Sequence, residues 1–323
     1  MADTNPILIY GASGFTGRCC VQAAEDAGID YLIGGRSREK LAAVAGPRCL
    51  GVRVADATDP GRAFAGVGCV VSTVGPFARL GLPVLDAAIE AGAHYVDTTA
   101  EQSFMQMALT RHTPAEAAGI TALPACGVEY APMLLAAALL PPGAVRSYLW
   151  LDDFLPTRGS VSSMITMAGV GPTPWPTRVR VEERKGHGIR IPGAEEVFLH
   201  PDCETFLVLR YHEALPFSLL WPLARWMPLP WLGDQITARL SDPTPAQRAQ
   251  ARFTVVVQQG TAAIRLDGAD VYASTGRFAV TLGAMLAGGQ ALRAGVLPVG
   301  AALPAEETLE RLGLSPRRVS MSP

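Results

Sequence analysis

The residues best placed to do chemistry form a short glycine-spaced run, Gly11-Ala12-Ser13-Gly14-Phe15-Thr16-Gly17, set directly between a strand-like and a helix-like segment. In that setting each glycine has a task. Gly11 permits the sharp strand-to-helix turn, Gly14 lets backbone approach a pyrophosphate, and Gly17 lets the helix sit close to the sheet, while N–H groups at the helix start attract the anion. Ser13, Phe15 and Thr16 complete the loop and join the cofactor-binding set. The spacing is G-x-x-G-x-x-G, a variant common among NADP-using α/β enzymes. An NAD site would place a carboxylate at the end of the second strand, about twenty residues past the glycines, to hold the ribose hydroxyls. Here that strand ends Gly34-Gly35-Arg36-Ser37-Arg38. A guanidinium can grip a 2′-phosphate through two hydrogen bonds, and the Ser37 hydroxyl adds a donor, so the residues point to NADP(H).

Further candidates stand at later strand ends. Asp56 is read either as a contact to the adenine edge or as a turn or capping residue. Val74, Gly75, Pro76 and Phe77, at the end of the fourth strand, should pass beside the nicotinamide half, because ligands lie at the carboxyl ends of parallel strands near the switch in strand order. Hydride transfer needs the nicotinamide held against an electrophilic carbon and a group to supply the balancing proton. Tyr130 and Glu129, just after the sixth strand, are the candidate proton donors, with structural roles as the competing reading. Arg158, ahead of Gly159-Ser160, is a candidate to polarise a carbonyl, or else a loop salt-bridge partner. Asp97 and Glu101 bracket Thr98-Thr99 and are read as capping the helix that follows. The five histidines have neither metal spacing nor a nucleophile partner, so no metal site and no hydrolase triad is expected.

Positioning these groups requires a layered fold. Strand candidates at Ile7–Tyr10, Tyr31–Gly34, Gly51–Ala55, Cys69–Thr73, His94–Asp97 and Ile120–Leu123 alternate with helical stretches near 15–28, 37–46, 60–66, 80–92 and 102–118. That rhythm specifies an α/β Rossmann fold, a doubly wound parallel sheet. After Pro141-Pro142 it gives way to longer, partly alternating strands at Val145–Asp153, Val179–Arg184, Glu204–Arg210 and Ala251–Gln259, the mark of a second α+β domain with a mixed or antiparallel sheet. The expected organisation is a cofactor domain at 1–140, a substrate domain at 141–267, and C-terminal helices at 268–323, near 275–294 and 304–313, that pack back on the first.

Composition sets the outer bounds. With 323 residues, 49% hydrophobic, 17% charged and a net charge of −2, the chain can bury a full core and is no polybasic nucleic-acid binder. Its six cysteines are scattered without metal spacing and read as reduced core residues. No signal peptide precedes the first strand and no run is both long and unbroken enough to span a bilayer, so a cytoplasmic location is expected.

Taken together, the residues resemble the saccharopine dehydrogenase-like oxidoreductases, and within them the branch that includes trans-acting enoyl reductases. The resemblance rests on Gly11–Gly17, Gly34-Gly35-Arg36, Val74–Phe77 with Gly81, and Gly92-Ala93-His94-Tyr95-Val96-Asp97-Thr98 with Glu101. Gly127 with Pro132, Gly159-Ser160 with Ser163, and Gly268–Tyr272 with Thr275 extend it. It implies an NADP-binding Rossmann domain, a middle domain with a mixed sheet, and C-terminal helices that rejoin the first domain. Where family members have Gly-Phe-Asp before the proline, this chain has Gly127-Val128-Glu129-Tyr130-Ala131-Pro132.

Residues 214–233 hold three of the five tryptophans and one charge, Arg225, and are broken by Pro216, Pro222, Pro228 and Pro230. Such a stretch suits a hydrophobic pocket, a lid, a dimer interface or a peripheral membrane contact. The leading expectation is an NADPH-dependent reductase acting on the conjugated C=C bond of a hydrophobic acyl or polyketide-type substrate, free or bound to a carrier protein. The alternatives are C=N reduction of an imine or opine, and a non-catalytic NADP-binding, membrane-associated protein.

Overall fold

The computed structural model describes residues 5–159, 161, 175–210, 214 and 241–320. The chain divides into two compact units, Met1–Ala131 with Tyr272–Gly313, and Pro132–Val271 with Leu314–Pro323. The first opens with β1 (Ile7–Tyr10), α1 (Phe15–Asp26), β2 (Tyr31–Gly35), α2 (Arg38–Ala42) and β3 (Cys49–Val54). It continues through β4 (Cys69–Ser72), α3 (Phe77–Glu90), β5 (His94–Asp97), α4 (Gln102–Leu109), α5 (His112–Ala117) and β6 (Thr121–Leu123). Next come α6 (Ala131–Ala138), β7 (Arg146–Asp152), β8 (Thr177–Val181), β9 (Arg184–Ile191), α7 (Ala194–Phe198), β10 (Glu204–Leu209), α8 (Pro245–Gln250), β11 (Arg252–Gln259) and β12 (Ala262–Ala269). The remainder is α9 (Val271–Ala287), β13 (Gly295–Val296), α10 (Val299–Ala302), α11 (Ala305–Arg311) and β14 (Arg317–Ser320).

Strands β1, β2, β4 and β5 are almost wholly buried, as expected of strands covered by helices on both faces. They belong to a seven-stranded sheet in the order β13-β6-β5-β4-β1-β2-β3, parallel throughout. Chain order reverses between β1 and β4, and the carboxyl ends of strands flanking such a switch are where open α/β sheets bind ligands. The expected doubly wound sheet is therefore present.

The second unit holds another seven-stranded sheet, ordered β14-β12-β11-β7-β10-β9-β8. β7 and β10 run parallel and the other neighbours antiparallel, which makes the sheet mixed, as expected. Tyr148 and Trp150 of β7, Val208 of β10, Val256 of β11 and Ala263 of β12 share one apolar cluster with Val179 and Val181 of β8. The period-two spacing of Tyr148 and Trp150 is that of one strand face.

Four details differ from the sequence reading. The single helix expected over 102–118 is two, α4 and α5, because a continuous helix would drive the Pro114 ring into the Thr110 carbonyl. The strand expected at Val179–Arg184 crosses a hairpin turn between β8 and β9. The C-terminal segment is not helical throughout, since β14 pairs antiparallel with β12 and lies in the second unit. The unit boundary falls at Ala131/Pro132, ahead of Pro141-Pro142. The Trp-rich stretch at 214–233 lies outside the described residues apart from Ala214, as do Ser160 and Ser163. Among the described residues no helix is long and apolar enough to cross a membrane.

Candidate cofactor site

The chain leaves β1 into Gly11, whose φ of +91° is left-handed. A Cβ there would come within 2.7 Å of Thr73 Oγ1 and 2.8 Å of Val74 Cγ2, so a glycine is what lets the loop lie against the end of β4. At Gly17 a side chain would run into the Gly11 carbonyl and Ala12 Cα. The loop is pinned by its own backbone. The Gly11 and Ala12 N–H groups donate to the Gly34 carbonyl at 2.9 and 3.3 Å, and the Gly14 N–H donates to the Gly11 carbonyl at 2.9 Å. Arg18 adds a bond from Nη1 to the Ser13 carbonyl at 2.9 Å, and its guanidinium lies over the Phe15 ring. Gly14 is exposed and caps α1, whose first turn carries no acidic residue. A helix start of this kind attracts a phosphate through its N–H groups and its dipole.

Arg36 is exposed just past the end of β2. It acts electrostatically on both Tyr10 and Asp56, which places all three at the same edge of the site. Ser37 accepts a hydrogen bond from the Lys40 N–H at 3.3 Å and so caps α2. The Asp56 carboxylate accepts from the Thr58 N–H at 2.9 Å and its hydroxyl at 2.7 Å, and these bonds, with Arg36, hold its pKa below the ordinary value. These bonds are those of a turn residue. Tyr10 donates to the Ala55 carbonyl at 3.1 Å, and burial pushes its phenol up to about 12.

Across the switch, Val74-Gly75-Pro76-Phe77 leads from β4 into α3. The N-terminus of α3 is capped from outside by Glu101, which accepts from the Phe77 N–H at 3.0 Å and the Ala78 N–H at 2.8 Å. Sequence reasoning expected Glu101 to cap the helix after it. In the structure its backbone occupies that cap position on α4, yet its carboxylate serves α3.

Asp97, at the end of β5, accepts through one oxygen from the Thr99 N–H at 2.8 Å and the Ala125 N–H at 3.0 Å. Its other oxygen lies beside the Tyr95 hydroxyl, which in turn lies beside that of Ser72, in a fully buried space. Desolvation pushes the Asp97 carboxyl up to about 7 against the bonds it accepts.

The loop after β6 passes through Ala125, held at a φ of +63°. Beyond it the Val128 N–H donates to Thr275 Oγ1 of α9 at 3.3 Å. Glu129 is half-buried, and desolvation raises its pKa, while Tyr130 is 2% exposed. Gly11–Gly17, Arg36, Asp56, Val74–Phe77, Glu129 and Tyr130 therefore all stand in the first unit at or just beyond carboxyl ends of its parallel strands. Arg158 is exposed in the second unit. That unit also contains a cavity of about 260 Å³ beside Arg146, Glu204 and Gln258, lined by none of the expected site residues.

The roles of Asp97 and Glu101 toward neighbouring loops were not legible in the sequence. Two acids four apart after a strand are visible, but their donors lie in segments more than twenty residues away in the chain.

Residues 7–123 match the model of the saccharopine dehydrogenase NADP binding domain. A trans-acting enoyl reductase of Mycobacterium leprae is 34% identical over 137 residues, 39% of this chain and 33% of that protein, so the match spans about a third of the relative's length. Among solved structures, apo saccharopine dehydrogenase (L-Glu forming) of Saccharomyces cerevisiae superimposes with a TM-score of 0.65 at 13% identity, over 98% of this chain and 100% of that one. An amine dehydrogenase of Mycobacterium smegmatis gives 0.51 at 12% identity, covering 93% and 96%. At these identities the structural likeness is one of fold. The glycine cradle at α1 and the guanidinium past β2 fit a dinucleotide that carries a 2′-phosphate. Residues 7–123 thus match a saccharopine dehydrogenase NADP binding domain, and NADP(H) is the cofactor that their loop fits.

Proposed function

We propose that the chain is an NADPH-dependent reductase that acts on a conjugated C=C bond of a hydrophobic acyl or polyketide-type substrate. The observation that carries the reading is the tight glycine loop at the start of α1 combined with Arg36 in place of an acid past β2. The enoyl assignment draws support from the name of the Mycobacterium leprae relative, whose 34% identity exceeds the 13% of the saccharopine enzyme of similar fold. The apolar composition of residues 214–233 argues in the same direction.

Bound NADPH supplies a hydride. The chain's own residues hold the cofactor and deliver the proton that completes reduction. The Gly11–Gly17 backbone and the α1 N-terminus hold the pyrophosphate, and Arg36 holds the 2′-phosphate. Glu129 carries the proton on its carboxyl, because its raised pKa keeps the neutral acid populated to higher pH than an exposed glutamate would allow. The proton goes to the substrate carbon adjacent to the carbonyl while the hydride goes to the β-carbon, leaving a saturated acyl group.

The test is NADPH oxidation followed optically with enoyl thioesters, free or on an acyl carrier protein, against keto-acid and amine pairs. Turnover of the thioesters is expected, and Glu129→Gln should reduce it about a hundredfold while NADPH still binds. Turnover of the keto-acid and amine pairs alone would instead establish C=N reduction. Tight NADPH binding with no turnover of either class would leave a binding protein.

A further inference from the structure

The end of β5 stands between two site loops and reaches both. Toward β4, both oxygens of Glu101 accept the first N–H groups of α3, those of Phe77 and Ala78, at 3.0 and 2.8 Å. Toward β6, Asp97 Oδ1 accepts the Ala125 N–H at 3.0 Å, and the Asp97 carbonyl accepts the Cys126 N–H at 2.7 Å. The two acids are themselves joined through a turn. The Thr99 N–H donates to Asp97 Oδ1 at 2.8 Å, and the Glu101 N–H donates to Thr99 Oγ1 at 3.0 Å.

Both carboxyls are withdrawn from water, Asp97 at 0% and Glu101 at 1% exposure. Burying a carboxyl is costly unless hydrogen bonds offset the loss of water, and here backbone N–H groups of the flanking loops supply them. The arrangement also explains the left-handed Ala125, a conformation an alanine adopts only when its surroundings over-determine it. Two bonds that Asp97 accepts, from the Ala125 and Cys126 N–H groups, hold it there. At the other wall the Glu101 side chain occupies the N-terminus of α3, which leaves the α1 N-terminus as the place for a ligand phosphate.

We propose that Asp97 and Glu101 are positioning residues that together fix the two loops, Val74–Phe77 and Ala125–Tyr130, on either side of the nicotinamide half of the cofactor. The proposal rests on the NADPH reading above. Neither acid touches the reacting atoms. Each acts through a backbone segment, so loss of either should loosen the nicotinamide half and leave the adenosine half held by Gly11–Gly17 and Arg36.

The experiment titrates the full chain with two ligands, NADPH and the fragment adenosine 2′,5′-bisphosphate, which lacks the nicotinamide. Glu101→Ala is expected to weaken NADPH about tenfold and to change fragment affinity by less than about twofold. Glu101→Gln keeps an acceptor oxygen and should recover most of the loss. Asp97→Asn keeps the acceptor for Thr99 and Ala125 and should stay near wild type, whereas Asp97→Ala should behave as Glu101→Ala does. If the alanine variants fail to fold, Glu101→Asp, which keeps the charge but shortens the reach, should show the same selective loss of NADPH affinity. Parallel weakening of both ligands, or no weakening of NADPH, would overturn the proposal. A wild-type chain that binds neither ligand would instead overturn the NADPH reading on which it stands.

Discussion

On the function proposed above, Arg36 is the side chain that chooses between two cofactors. Just past β2, an acid would bind the ribose hydroxyls and repel a 2′-phosphate, whereas a guanidinium attracts it. A charge-assisted contact of this kind contributes about 1.5–3 kcal/mol. Arg36→Ala should therefore weaken NADPH about ten- to a hundredfold and leave NADH nearly unchanged, read by fluorescence titration with each cofactor. Equal losses with both would show that Arg36 contacts something other than the 2′-phosphate. Its position was legible in the sequence because it depends on local order, a strand end about twenty residues past a glycine loop. The same holds for Gly11 and Gly17, whose contacts are with the end of β4 and with their own loop. Glu101 stands at the N-cap of α4 as expected, but the N–H groups that its carboxylate satisfies belong to α3, a contact that chain order does not reveal.

At the scale of elements, the parallel strands could be read closely because burial on both faces makes them short apolar runs bounded by turns. The second sheet was read less completely. β9 carries Arg184, Lys185, His187 and two glycines, so neither alternation nor apolar content announces it. Its hairpin with β8 turns through Glu182-Glu183, with Glu182 at a φ of +51°, where the usual signals are Asn-Gly, Asp-Gly or a leading glycine. An ordinary residue is strained there. Glu182 also pairs with Arg265 at 2.6 Å, but Arg265 keeps Asp267 as a second partner at 2.9 Å. Relief of the turn should thus outweigh loss of one partly exposed ion pair. Because only the first turn residue has a positive φ, replacing Glu182-Glu183 with Gly-Asn is expected to raise stability by about 0.5–1 kcal/mol, measured by chemical denaturation. A lower denaturation midpoint would mean that the Glu182 ion pair contributes more than the turn strain costs.

On the scale of the whole molecule, desolvated carboxyls set how stability depends on pH. Asp97 and Glu129 in the first unit and Glu195 in the second all have pKa values raised by burial, Asp97 to about 7. For each of them the folded state holds its proton to higher pH than the unfolded chain does. Between about pH 4 and the folded pKa the folded protein therefore binds more protons, and stability falls as pH rises through that window. For Asp97 the loss is complete above about 7. Asp56 and Asp267 have the opposite sign, since their lowered values stabilise the fold above the ordinary carboxylate range and cease to do so in stronger acid. His94, whose pKa desolvation lowers, works against the decline near the ordinary imidazole range, so the decline above mild acid is carried by the three raised carboxyls. Thermal unfolding should accordingly show a melting temperature that declines from about pH 5 to about pH 8, with a shallower decline in Asp97→Asn, where the amide keeps the acceptor but cannot ionise. A melting temperature that climbed over the same range would mean that the buried carboxyls are ionised in the folded protein, and that the bonds from Thr99 and Ala125 to Asp97 outweigh its desolvation.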